Sequence, residues 1–351
     1  MSDFIQLHIL TAYPPSNPNR DDLGRPKTAR MGGVDRLRIS SQSLKRAWRT
    51  SEIFEDALSE YIGKRTKLIG VETYKSLIEK GVSEKNALEW ATQIASKFGK
   101  NKAEDKKNPK NKLEIEQLVH IGPSEQKAID DLINVLVSED RAPEENELDF
   151  LRKDIEAVDI AMFGRMLASS PKFNIEAAVQ VSHALTVNQV VVEDDYFTAV
   201  DDLNDGQEDA GSSHIGETSF GSGVFYVYIC INKSLLVKNL SGNEELANKA
   251  ISSLVEASLQ VAPSGKQNSY ASRVRASFAM AEKGPQQPRS LAVSFLEPVK
   301  NSDQVTEAIS RLKTQKENMD KVYGSCSDSE YEIDAKNGNG TVAELLKFLV
   351  S

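Results

Sequence analysis

The ten residues Gly223–Asn232, GVFYVYICIN, carry the strongest strand signal in the chain, dense in aromatic and β-branched side chains. A fold that accommodates them is organised around a sheet. Phe4–Thr11 (FIQLHILT) predicts a second strand, half-buried, with Ile5, Leu7 and Ile9 on one face and Gln6 and His8 on the other. Ser40–Phe54 predicts a helix, capped by Ser40 or Ser41, with Leu44, Ala47 and Trp48 as its apolar stripe. Ala177–Leu185 reads as a strand, Asn243–Val261 has helical periodicity through Leu246, Ala250, Leu254 and Ala257, and Ser290–Leu296 reads as a strand. The order is strand, helix, strand, strand, helix, strand. It predicts an α+β protein with a ferredoxin-like βαββαβ core.

Two segments interrupt that core. Residues 55–170 are mostly helical in pattern, with Lys-rich breaks such as the one at Asn108-Pro109, and an acidic stretch separates the two middle strands. Helical patterns at Asp303–Lys313 and Thr341–Val350 finish the chain. At 351 residues it exceeds a comfortable single domain, and 39% hydrophobic residues suffice for a real core. No internal repeat of about 20–50 residues is visible. No apolar run approaches the roughly 18 residues that span a bilayer, and Met1–Gln6 lacks the basic-then-apolar pattern of a leader, so no membrane partner is expected. Two cysteines, Cys230 and Cys326, provide neither a disulfide scaffold nor a four-thiolate zinc site. A reducing, cytoplasmic setting fits.

The net charge of −9 argues naively against a polyanionic partner, but its distribution does not. Ala184–Asn232 holds nine acidic residues and no Lys or Arg, and the rest of the chain is neutral. Arg20–Arg49 carries nine bases against three acids, and Lys97–Lys112 carries seven lysines against two. Such segregation lets one face hold a polyanion while the remainder discourages indiscriminate binding.

Within the first basic region, Gln42, Lys45 and Arg49 fall within about 60° of one another on the helix, beside its apolar stripe. Serines at the helix start predict unpaired backbone N–H groups, which with these cations make a cradle for one or two phosphates. The alternative is a solvated amphipathic helix that happens to be basic. In Asp159–Met166, Gly164 permits close approach, Arg165 offers charge, and Met166 offers an apolar wedge able to unstack bases; equally, Met166 is ordinary core. Asp195–Leu203 and Gly211–Gly221, joined through Asn204-Asp205-Gly206-Gln207, predict a protruding acidic hairpin. Such an arm either packs on another subunit's basic region and slips Phe197 or Ile215 between bases, or is a solvent loop. Ala262–Arg275, with Lys266, is a basic loop able to close over a backbone.

Catalytic signals are thin. His214 is a candidate general base without a second histidine nearby, and His8, His120 and His183 are scattered, the first and last on strand patterns that suit structural roles. Asp21-Asp22 and Asp201-Asp202 are adjacent carboxylates able to hold Mg²⁺, though an Asx-turn and a solubilising arm explain them as well. There is no HxxxH, CxxC, phosphate-binding loop, dinucleotide fingerprint or nucleophile elbow. No metal or cofactor is expected.

Several segments occur together and in order: FIQLHIL, Asn19-Arg20-Asp21-Asp22, Arg38–Ala47 (RISSQSLKRA), Asp159–Met166, Val179–Ala184, Phe197–Leu203, His214–Tyr226 and Pro263–Ala271. Together they resemble the CasC-type backbone subunit of the type I-E CRISPR Cascade surveillance complex. The resemblance implies a hand-shaped, non-catalytic protein. Its RRM-like palm would take residues 1–54, 171–190 and 223–351, its helical fingers residues 55–170, and its thumb hairpin residues 191–222. Copies would assemble side by side along a guide RNA, each thumb reaching its neighbour and flipping out one nucleotide at intervals, with other Cascade subunits as further partners. The remaining bases would stay free to pair with a target DNA strand. Carried over by position, Arg20, Lys27, Ser40, Gln42, Lys45 and Arg49 would grip RNA backbone, with Arg38, Arg46, Arg165 and Lys266 beside them. Met166, Phe197, Thr198 and Ile215 would lie at the kinks, and His214 would be a further RNA contact. Lys100, Lys102, Lys106 and Lys107 would be candidates for contacting target DNA. The alternative is an RNA endonuclease of related fold using His214 or an aspartate pair.

Overall fold

The computed structural model describes residues 3–105, 108–152, 156–167, 170–199 and 214–351. Its strands, in chain order, are β1 (Phe4–Ser16), β2 (Thr28–Met31), β3 (Val34–Ile39), β4 (Lys64–Thr66), β5 (Val119–Ile121) and β6 (Val179–Val181). They continue with β7 (Ala184–Thr186), β8 (Glu193–Ala199), β9 (His214–Asn232), β10 (Phe278–Gly284) and β11 (Ser329–Asp334). The chain forms two compact units, one of Met1–Phe54, Val181–Ile231 and Ile251–Ser351, the other of Glu55–Gln180 and Asn232–Ala250. It is a mixed α/β protein with an antiparallel sheet and many helices. Among the described residues no helix is long and apolar enough to cross a membrane.

The first unit carries the main sheet, in the order β11-β10-β1-β9-β7-β3-β2. Phe4–Gly284 to Leu10–Phe278 is the β1–β10 register, and Phe278–Asp334 begins the β10–β11 ladder. Ile5, Leu7 and Ile9 are fully buried as their spacing predicts, on the face where Leu44 and Trp48 of the helix Ser41–Arg49 meet Tyr13, Phe225 and Leu259 around one cavity of about 30 Å³. Each such side chain removed from water contributes about 1.5–3 kcal/mol.

The opposite face departs from expectation: Gln6, His8 and Leu10 are buried too. The longer helix Gln304–Tyr323 lays Ala308, Ile309 and Leu312 against Leu10, Tyr226 and Met280 there. A buried polar network completes that face. Arg289 donates to Glu282 from both terminal nitrogens, at 2.6 and 3.0 Å, and Ser327 Oγ donates to it at 3.1 Å. His8 Nε2 meets the same carboxylate at 3.0 Å, while the Tyr226 hydroxyl meets His8 Nδ1 at 2.9 Å. Burial outweighs the carboxylate and lowers the His8 pKa, so the imidazole is neutral and donates Nε2–H to Glu282. Burial by itself would raise the Glu282 carboxyl, but hydrogen bonds from His8 and Arg289 win and hold it at about 2.

Three segments fold differently from their local patterns. Ser290–Leu296, read as a strand, contains a 3-10 turn at Ala292–Phe295, and the strand beside β1 is instead β10, whose FAMAEKG lacks β-branched residues. The turn is held by Arg36, whose guanidinium donates to Thr186 O and Phe295 O, both at 2.9 Å. Gly32, at φ +61°, lies so close to Leu296 O that a Cβ would meet it at 1.6 Å. The helix expected over Ser40–Phe54 breaks in two, Ser41–Arg49 and Glu52–Leu58. Trp48 O, which a continuing helix would offer to Glu52 N, accepts instead from Ser51 N and Ser51 Oγ, and Thr50 Oγ1 adds a second bond to Arg46 O beside that from Thr50 N. Ala177–Leu185, read as one strand, covers β6 and the first two residues of β7, two separate short strands.

The second unit packs helices Ile69–Glu79, Glu84–Ser96 and Pro123–Glu139 around Leu77, Trp90, Ile94, Ile129, Ile133 and Phe150. Beside the helices that its mostly helical pattern predicts, it also holds a β4–β5 ladder pairing Lys64 with Ile121 and Thr66 with Val119.

Candidate nucleic-acid interface

The basic loop of the first unit is built by its own side chains. Asp21 Oδ1 accepts from the N–H groups of Leu23 and Arg25, at 3.0 and 2.9 Å, the Asx-turn anticipated for that aspartate. Asn19 Oδ1 accepts from Ser40 N at 2.9 Å, Lys27 N donates to Asn19 O at 2.9 Å, and Arg38 N donates to Lys27 O at 2.7 Å. These bonds bring Arg20, Lys27 and Arg38 to the start of the helix Ser41–Arg49. Among the described residues none of Arg20, Lys27, Arg38 and Arg46 forms an ion pair, and Arg38 Nε is buried with no partner. Burial lowers the Lys45 pKa. Crowded cations that are not ion-paired favour an anion between them.

A groove of about 550 Å³ runs past this cluster, lined by Asn19, Arg20, Asp21, Asp22, Ser43, Arg46, Thr50 and the loop Pro263–Gly265, so two carboxylates share it with two guanidinium groups. A Cβ at Gly265 would meet Pro18 O at 2.3 Å, so glycine lets the two loops close on each other. A second groove, of about 660 Å³, is lined by Gln260, Lys266, Gln267, Asn268 and Arg273. Lys266 and Ala271 flank the one-turn helix Gln267–Tyr270 with φ of 52° and 50°, strained values for residues with a Cβ. Lys266 lines this second groove and not the one beside Arg20 and Arg46; Ser264 lines both.

Several expectations change at this site. The N–H groups expected to be unpaired at the helix start have partners: Ser43 N donates to Ser40 Oγ at 3.3 Å and Ser41 N to His183 Nδ1 at 3.1 Å. Ser40 is buried as the helix cap, whereas Gln42 and Arg46 are exposed and Lys45 and Arg49 half-buried. Arg36 is fully buried and faces carbonyls, so it adds nothing to the surface charge counted for Arg20–Arg49. Arg25 pairs with Asp194 at 3.3 Å. His183 falls among the cations through a contact spanning 142 residues, for which no local sequence signal exists.

The acidic arm is a hairpin as predicted. β8 and β9 pair from Glu193–Phe220 to Ala199–His214, with Phe197 opposite Gly216 and Thr198 opposite Ile215. The Phe197 ring lies across Gly216, where a Cβ would come within 2.3 Å of it, and Thr198 is exposed. The predicted turn Asn204-Asp205-Gly206-Gln207 and the Asp201-Asp202 pair lie outside the described residues, and of His214 and Ile215 only the backbone pairing is described. At the arm's base, Asn17 Nδ2 donates to Ser219 O at 2.8 Å and Ser219 Oγ to Asp194 Oδ1 at 2.7 Å, tying the hairpin to the basic loop.

In the second unit, Arg165 is not a surface cation. Its side chain is 1% exposed, paired with the fully buried Glu125 at 2.7 Å and donating to Arg152 O at 3.0 Å. The buried carboxylate requires that partner, which removes Arg165 from the nucleic-acid contacts. Its neighbour Met166 is 83% exposed, unlike a core methionine. Lys100 and Lys102, expected to face DNA, pair with Glu116 at 2.8 Å and Glu114 at 2.6 Å. Lys106 and Lys107 lie outside the described residues. Among the described residues no three His, Cys, Asp or Glu side chains are grouped to hold a metal ion.

The model of the CT1975-like protein family matches residues 5–346. A solved structure described as "CRISPR RNA-guided surveillance complex, pre-nicking" is similar at 30% identity, over 99% of both chains, with a TM-score of 0.84. A second, "CRISPR RNA-guided surveillance complex", shares the fold at 24% identity over 99% of this chain and 98% of that one, with a TM-score of 0.60. No curated protein matches. With all but the ends of its sequence covered by one family model, the chain belongs to the CT1975-like family.

Proposed function

We propose that this chain is a CasC-type backbone subunit of a type I-E CRISPR Cascade complex, binding guide RNA along its spacer without cleaving it. The observation that carries this reading is the 30% identity, across 99% of both chains, to a chain from an RNA-guided surveillance complex. Arg20 and Arg46 line one groove, Lys27 and Arg38 stand at the start of the same helix, and none of the four has an ion-pair partner among the described residues; they support the reading, because a subunit that serves any spacer grips phosphate rather than bases. Sequence specificity then belongs to base pairing with target DNA, a division known in another CRISPR effector. The strand order β10-β1-β9-β7 supports a ferredoxin-like palm, residues 55–170 serve as fingers, and the β8–β9 hairpin is a thumb. Copies stack side by side in the cytoplasm with other Cascade subunits, and the acidic thumb docks on a neighbour's basic surface. Phe197 and Met166 stand at the kinks, both exposed.

The test is purification under mild salt followed by analysis of bound nucleic acid. Small RNA of uniform length should co-purify, and replacing Lys45 and Arg49 together by Ala should flatten the salt dependence of RNA affinity by about two units of slope. Protein free of RNA, or an unchanged slope, rejects the reading.

A further inference from the structure

We propose that His183 is a phosphate-contacting residue of this interface, its neutral imidazole donating Nε2–H to a phosphate oxygen of the strand held by Lys27 and Arg38. This rests on the RNA-binding reading of the same surface.

The tautomer follows from one hydrogen bond. A backbone N–H only donates, so the contact from Ser41 N at 3.1 Å requires a bare Nδ1, and the neutral ring then carries its proton on Nε2. Partial desolvation and the nearby charges of Arg38 and Lys27 lower the ring's pKa, which keeps it neutral at pH 7. Pairing of Ile39 with Ala184 places His183 at the entrance of the helix Ser41–Arg49. Its side chain is exposed, and Nε2 has no protein partner among the described residues. The result is a fixed, uncharged donor beside two cations that have no carboxylate among the described residues. Arginine and lysine attract a phosphate through charge, and the imidazole adds direction. Being uncharged, it displaces no counterion, so its contribution is independent of salt.

Two substitutions separate this role from support of the helix. His183→Asn keeps an acceptor near the Nδ1 position and removes the Nε2 donor, whereas His183→Gln keeps a donor near Nε2. Titrating the full-length protein with a labelled oligo(U) RNA across a salt series, H183N should bind about tenfold more weakly with an unchanged slope. H183Q should stay close to the parent. A Lys27→Ala control should lose about one unit of slope. If H183N binds like the parent while Lys27→Ala loses slope, the proposal fails and the function above stands. If neither variant changes binding, RNA does not use this surface and both readings fail. A fall in both affinity and slope for H183N would mean a displaced helix and would also overturn the proposal. Nitrogen NMR of the unsubstituted ring tests the tautomer independently: bare Nδ1 and an Nε2–H signal that moves on adding oligo(U) are required.

Discussion

Arg289 and Arg46 belong to the same compact unit and carry the same charge, yet their surroundings are opposite. Arg289 is 16% exposed and grips a fully buried carboxylate with two hydrogen bonds, within a network that also takes in His8, Ser327 and Asp320. Arg46 stands exposed on a groove with no ion-pair partner among the described residues. A charge enclosed with its counter-charge fixes architecture, since removing either member strands the other in low dielectric. A cation facing water costs little to keep and attracts whatever anion arrives. Counting Lys and Arg along the chain merges these two kinds, and only the partners separate them.

The sharpest way to break this contrast is at the enclosed end. Glu282→Ala leaves Arg289, the buried His8 and the half-buried Ser327 without their common acceptor, and should cost about 3 kcal/mol in urea unfolding. On the folded fraction, the salt slope for RNA should not move. An equal loss of RNA affinity would mean that the two regions are not distinct.

Acid tests the same network more gently. Burial lowers the pKa of His8 in the fold, so below about pH 6.5 the unfolded chain takes up a proton that the fold resists, and stability falls as pH falls. Glu282 is depressed to about 2, so its contribution is fully present above its ordinary value near 4.5 and is lost as pH drops from there toward 2. Both act in one direction. Melting temperature should therefore decline between pH 7 and 5 and more steeply below 4.5; His183, whose pKa is lowered too, adds to the first part, and His8→Gln should reduce that part without altering the second. Equal declines above pH 5 in the unsubstituted protein and in His8→Gln contradict a neutral buried His8.

The same distinction explains how much of the fold and the site is legible in the sequence. The strand at Gly223–Asn232, the alternation at Phe4–Thr11 and the helix Glu244–Gln260 announce themselves because spacing within ten or so residues encodes them. β10 does not, since Ala, Met, Glu and Lys in FAMAEKG express no strand preference, and its neighbours in the sheet impose the conformation. The basic residues of the groove can be picked out by type and by resemblance. That Arg36 turns inward to Phe295 O, 259 residues away, and Arg165 to Glu125, 40 residues away, depends on tertiary partners that no local pattern encodes. His183 misleads for the same reason in the other direction: a histidine on a strand pattern looks structural until the Ser41 N–H reveals which nitrogen faces out.

The smallest expected effect is also the most discriminating one at the open end. Arg46→Ala removes an exposed guanidinium with no ion-pair partner among the described residues, so neither desolvation nor a stranded carboxylate follows, and the melting temperature should stay where it is. If a phosphate sits in the groove, one counterion fewer is released on binding, and the logarithm of affinity should flatten against the logarithm of salt by about one unit. The loss should be equal for oligo(U) and oligo(A), because a contact to the backbone carries no information about the base. A loss confined to one sequence would mean that Arg46 reads base edges, and the groove would then be a reader of letters rather than a grip on the chain that carries them.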